Sequence, residues 1–202
     1  MSKSRLANGD IVKELRRHAL RRNVDAMWIL GEAYGAGFFE SADGRKIRLE
    51  RNLRLSRKWL RRASDAGCSG AMLSLAAAYT NKPSYKALMA ALKLEKQAWQ
   101  LGESLAANNI AVTYSFLGKK KLCHRWLKKS YQLTGDGLMY ALSLATGYGV
   151  GRNVTEAMKV LDGLIARNSN MDEDGYRARS LRARILQGNL PSVAIPITRT
   201  NI

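Results

Sequence analysis

Residues 26–37 read Ala-Met-Trp-Ile-Leu-Gly-Glu-Ala-Tyr-Gly-Ala-Gly. Ala26, Leu30 and Tyr34 stand four apart, which puts a small, an aliphatic and an aromatic side chain on one stripe of a helix. The stripe returns as Ala71, Leu75 and Tyr79, then as Ala106, Ile110 and Tyr114, and Tyr140 and Leu144 supply its last two members a fourth time. After each such helix a second one is expected, with a large apolar residue four before a small one. These pairs are Trp59 and Ala63, Leu94 and Ala98, and Trp126 and Ser130, with Val160 and Leu164 in the fourth position. Gly67, Gly102 and Gly135 close three of the second helices, as suits a helix end that turns into left-handed backbone. Helix pairs recurring every roughly thirty to forty-five residues define a solenoid, because one pair cannot bury its own apolar faces and must stack on a neighbour.

The spacing between stripes is uneven. Tyr34 to Trp59 is long, so residues 38–53 form an insertion, begun by Phe38 and Phe39, that either lengthens the second helix or folds over as a lid. Tyr114 to Trp126 is short, which trims the third loop to about Gly118–Lys121. Residues 10–22 read as a lone second helix that caps the start. Residues 174–187 read as a lone first helix that caps the end, with Leu181 and Ile185 inward. The tail from Asn189, with Pro191 and Pro196, is expected to be extended or disordered.

These residues resemble the Sel-one-like repeats (SLR), a branch of the tetratricopeptide-like helical repeats. The first copy carries Ala26, Leu30-Gly31, Tyr34, Gly37, Ser56, Trp59, Ala63 and Ala66-Gly67. The fourth carries the loop Gly147-Tyr148-Gly149-Val150, then Asn153 and Ala157. The resemblance covers about residues 24–168. The expected fold is all-α, a right-handed α/α superhelical solenoid of about four helix pairs with capping helices. Its parts are an N-terminal arm and cap (1–23), the repeats (24–170), a C-terminal cap (171–188) and a tail (189–202). The resemblance further implies that first helices line a concave groove and second helices the convex back.

The 202 residues suit one domain or one short array, long enough to hold a core without metal or disulfide. Charge is the outlier, with 34 Lys and Arg against 16 Asp and Glu, a net +18. Residues 1–66 carry 16 basic and 8 acidic groups, residues 67–137 carry 10 and 3, and residues 138–202 carry 8 and 5. The charge is also segregated by helix. Residues 71–80, 105–117 and 137–148 contain no Lys, Arg, Asp or Glu. The second helices hold Arg54, Arg57, Lys58, Arg61 and Arg62, then Lys119, Lys120, Lys121, Arg125, Lys128 and Lys129. The N-terminal thirty residues contain no apolar run of signal-peptide length, and nothing approaches the roughly 18 apolar residues of a membrane span. Cys68 and Cys123 read as free thiols of a reducing compartment, and a cytoplasmic location is expected.

Residues two before and two after the core aliphatic lie about 160–200° round the helix from it. They point away from the core stripe, and the resemblance turns them to the groove. They are Trp28 and Glu32, Leu73 and Ala77, Asn108 and Val112, and Leu138 and Leu142, with Phe116 one turn past Val112. Apolar residues on this side mark a binding surface, the alternative being that neighbouring helices or the tail bury them. Trp28 is the expected anchor.

No catalytic constellation accompanies them. Cys123 and His124 are helix neighbours about 100° apart, too divergent for a thiolate–imidazole pair. Two histidines and two scattered cysteines lack metal-ligand spacing. Gly147–Gly151 has neither a preceding strand nor a following Gly-Lys-Ser/Thr, so it reads as an interhelix loop. Asp172, Glu173 and Asp174 favour the dipole at a helix start. The expected function is a non-catalytic protein-interaction module without cofactor or metal, holding an acidic protein or peptide in its groove as adaptor, assembly factor or bacterial immunity protein. The alternative is a basic nucleic-acid-binding protein, suggested by the charge but unsupported by any recognition motif.

Overall fold

A computed structural model describes residues 8–41, 44–81, 83–167 and 173–190. The chain forms two compact units, Met1–Lys82 and Pro83–Ile202. The boundary falls inside the second repeat copy.

The first unit contains α1 (Asn8–Leu20), α2 (Val24–Ala36), β1 (Phe38–Glu40), β2 (Lys46–Arg48), α3 (Leu53–Asp65) and α4 (Ser69–Thr80). Asn23 starts α2 by accepting from the Ala26 N–H at 2.8 Å, and Gly37 ends it in left-handed backbone with φ 85°. Ala26, Leu30 and Tyr34 are buried as the stripe requires. The glycines of α2 set how closely α3 approaches. A Cβ on Gly31 would lie 2.6 Å from the Leu60 side chain, and one on Gly35 would lie 3.1 Å from Ser56 Oγ. The small residue three before Trp59 is therefore a contact requirement of the α2–α3 packing. α1 covers the open end of α2, where Arg16 Nε donates to the Tyr34 hydroxyl at 3.0 Å.

The insertion is an antiparallel hairpin with Phe39 opposite Ile47. Ile47 is fully buried between two exposed neighbours, the alternation of a half-buried strand. α3 starts at Leu53, so the insertion does not lengthen the second helix.

The second unit contains α5 (Tyr85–Gln100), α6 (Ala106–Phe116), α7 (Lys120–Thr134), α8 (Leu138–Thr146), α9 (Val154–Arg167) and α10 (Glu173–Leu186). Ile110, Tyr114, Tyr140, Leu144, Val160 and Leu164 share its core with Cys123 and Leu127. Leu94, expected inward, is only half-buried. The adjacent Glu95 is the buried residue, accepting from Thr113 Oγ1 at 2.9 Å. Trp126 is likewise half-buried and meets Trp99 edge-on, with centroids 5.3 Å apart. The third loop is short, with three residues, Leu117, Gly118 and Lys119, between α6 and α7. α10 packs on α9 with Leu181 and Ile185 buried. The expected tail, from Pro191 onward, lies outside the described residues, as does Asp172.

Copies one and four close their loops alike. In copy one, Asn52 N–H donates to Tyr34 O at 2.8 Å and Arg51 Nε to Gly35 O at 2.9 Å. In copy four, Asn153 N–H donates to Leu144 O at 2.9 Å and Arg152 Nε to Ala145 O at 3.1 Å. Each Asn then caps the next helix, Asn52 accepting from Leu55 N–H at 3.0 Å and Asn153 from Glu156 N–H at 2.9 Å. One Arg-Asn pair thus satisfies carbonyls at the end of one helix and an amide at the start of the next.

Candidate functional site

The nine residues expected along the first helices divide by burial. Leu73 (1% exposed), Val112 (1%) and Leu142 (6%) are buried, so they pack and are closed to a partner. At these three positions the burial matches the alternative reading, in which neighbouring structure covers them. Helix geometry alone places them away from the core stripe, but every side of a helix in a stacked array can meet a neighbour.

In the first unit, Trp28, Glu32 and Ala77 are half-buried. The Trp28 ring sits over the start of α4, where a Gly70 Cβ would lie 2.6 Å from its Cζ2. Its indole Nε1 is buried and has no hydrogen-bond partner among the described residues. Gly70 thus seats the ring, a role the repeat pattern does not announce. In the second unit, Asn108 and Leu138 are half-buried, and Phe116 is 51% exposed at the end of α6. Leu138 lines a hollow of about 250 Å³ with Leu164, Arg167 and Asp174.

The charged helices present a different surface. On α3, Ser56, Trp59, Leu60, Ala63 and Ser64 face inward, while Arg54, Arg57, Lys58, Arg61 and Arg62 are exposed. With Asp65 these cations border an open hollow of about 550 Å³. On α7 two lysines lie over aromatic rings, Lys120 5.6 Å from the Tyr148 centroid and Lys129 4.5 Å from that of Trp126. Their ammonium groups use the negative ring faces as partners.

The nucleophile candidates are enclosed. Burial pushes the Cys123 thiol up to about 12, which keeps it protonated. His124 is also buried, with Nδ1 2.9 Å from Ser143 Oγ. That hydroxyl donates its single proton to Tyr140 O at 2.7 Å, so it accepts from His124 Nδ1–H. Desolvation first, and the Lys128 charge second, hold the imidazole below its ordinary pKa. A neutral His with its Nδ1 proton fixed on a buried serine is a packing element of α7 against α8. Among the described residues, no three His, Cys, Asp or Glu side chains converge as metal ligands. No described helix is long and apolar enough to cross a membrane.

No protein-family model matches the chain, and no curated protein does. Solved structures do. A Sel1 repeat protein from Oxalobacter formigenes superposes with a TM-score of 0.63 at 15% identity, over 88% of this chain and 80% of its own. The fold is that of a Sel1-like repeat solenoid. A protective antigen present in uropathogenic Escherichia coli strains, itself displaying an SLR fold, matches with a TM-score of 0.62 at 18% identity over 95% of this chain. The present chain spans 45% of that antigen's length. The Sel1-like assignment agrees with the glycine spacing of α2, the Ser56–Trp59 pair and the Gly147–Val150 loop.

Proposed function

We propose that the chain is a non-catalytic protein-interaction module that holds an acidic protein or peptide against its first helices. The observation that carries this reading is the division of charge between helix types. α4, α6 and α8 carry no ionisable group of the Lys, Arg, Asp or Glu type, yet retain the exposed Phe116 and the half-buried Ala77, Asn108 and Leu138. Trp28 and Glu32 add a half-buried aromatic and a carboxylate on α2. Uncharged helix surface with an exposed aromatic supplies desolvated contact area. The cationic second helices supply long-range attraction, which raises association rates for an acidic partner.

The finer roles of adaptor, assembly factor or immunity protein are alternatives within this reading. A toxin-like reading frame beside the coding sequence would favour immunity. The direct test uses the partner purified on the wild-type chain. Phe116→Ala should weaken it by about 2 kcal/mol, roughly thirtyfold, with helical circular dichroism unchanged. Unchanged affinity would remove the first-helix surface from the binding site. If nucleic acid is the ligand instead, binding will vanish when Lys119, Lys120, Lys121, Lys128 and Lys129 are neutralised and will ignore Phe116→Ala.

A further inference from the structure

Several charged groups in the described chain are compensated locally. On α1, Glu14 pairs with both Arg17 and His18. On α9, Glu156 lies 3.8 Å from Lys159, and on α10 Glu173 pairs with Arg177. Arg182 bonds Asp162 at 2.7 Å. On α7, Lys120 and Lys129 rest on rings.

α7 also holds Lys121, Arg125 and Lys128 without an ion pair to another described residue, but α3 gathers more such cations and most of them are arginines. Arg54, Arg57, Lys58, Arg61 and Arg62 fall within an arc of about 140° and along about 12 Å of helix axis, at 100° and 1.5 Å per residue. Among the described residues, only Arg62 of the five has a ring partner, Trp59 at 5.1 Å. No ion pair or side-chain hydrogen bond joins Arg54, Arg57, Lys58 or Arg61 to another described residue. The pairs 54–58, 57–61 and 58–62 are like charges four apart, an arrangement that destabilises a helix. The fold thus tolerates an unfavourable face and gains nothing from it in the isolated chain.

Two features say what would relieve it. Four of the five cations are arginines, whose planar forks match carboxylate or phosphate oxygens bidentately. Between those two anions the surroundings favour carboxylate. The Trp59 ring is buried beneath the helix, so the face offers no stacking platform for a base.

We propose that the outer face of α3 is a second docking surface, which takes an acidic protein segment through arginine–carboxylate forks. The inference rests on the reading of the chain as a protein-binding module, and adds a surface distinct from the first helices.

The experiment titrates the full chain with a labelled short polyglutamate peptide at low salt and follows anisotropy. R57E/R61E should weaken binding by more than about tenfold, and K121E/R125E on α7, an equal change of net charge, by less than about threefold. R54K/R57K/R61K keeps the charge and should still weaken binding by about threefold or more, because only the Arg62 fork is left. Equal loss from the two charge reversals would reduce the effect to net charge and overturn the proposal. Wild-type affinity in the triple-lysine variant would overturn it as well. So would tighter, α3-dependent binding of an oligothymidylate of matched charge, which would make the face a nucleic-acid surface. Circular dichroism checks the fold, and R57Q/R61Q replaces the reversal if R57E/R61E melts early. Phe116→Ala should bind polyglutamate as wild type does, so failure at α3 and failure at the first helices are read separately.

Discussion

At the scale of the residue, two positions show how backbone and burial set the limits of change. Gly149 has φ 76°, and a Cβ there would lie 2.1 Å from Lys120 O. Gly118 has φ 68° with nothing within 4 Å of its Cβ position. Gly118→Ala therefore meets only the left-handed penalty, about 1–2 kcal/mol. Gly149→Ala adds a clash with backbone that cannot swing aside, and should cost more than about 3 kcal/mol. Paired denaturant melts of the two variants check the order. His124 gives a pH signature. Its folded pKa is depressed, so between the folded and unfolded values the unfolded chain binds the extra proton. Its contribution is fully present above the unfolded value of 6.5 and is lost as pH falls from there through the folded value. Unfolding free energies measured across this window should fall with acid in the wild type. The slope should flatten in His124→Gln.

At the scale of the element, the hairpin β1–β2 is where expectation and structure part most clearly. Phe38 and Phe39 open the insertion, yet Phe38 is exposed beneath Lys46, whose Nζ lies 3.9 Å from the ring centroid. The fully buried residue is Ile47. Ile47→Ala should cost about 2–4 kcal/mol, whereas Phe38→Ala should cost well under about 1 kcal/mol. Shortening 38–53 to the length of the fourth copy removes Ile47 and should lower the melting temperature clearly. Unchanged melting in the shortened chain would show that the hairpin contributes no core. The Arg-Asn clasp of copies one and four explains why both long and short loops fit the same helix pair. The insertion leaves from Gly37 and returns to it, Leu49 N–H donating to Gly37 O at 2.9 Å, before the clasp begins.

At the scale of the whole molecule, the net charge of +18 acts at a distance whichever surface makes contact. Under the proposed function, added salt should slow association with an acidic partner and leave dissociation nearly constant. Stopped-flow mixing across ionic strength measures both. A salt-driven rise in dissociation as large as the fall in association would place the charges inside the contact itself, as the α3 proposal requires for its own segment.

The sequence by itself determined the helices, the repeat and the capping ends. Those rest on local periodicity and on helix-closing glycines such as Gly67, Gly102 and Gly135, which adopt left-handed backbone. It also located the charge, since exposed cations on α3 and α7 follow from sharp amphipathic patterning. Tertiary structure alone decided which residues of the uncharged first helices stay open. Leu73, Val112 and Leu142 are closed while Phe116 is not, and Trp28 shares its ring with Gly70, forty-two positions along the chain. The hairpin and the buried Glu95 escaped for related reasons. Three-residue strands are too short to show a period, and a carboxylate is buried only where a distant hydroxyl such as Thr113 receives it. Periodicity tells which side of a helix avoids water, but the completeness of burial depends on neighbours that the chain brings in from elsewhere.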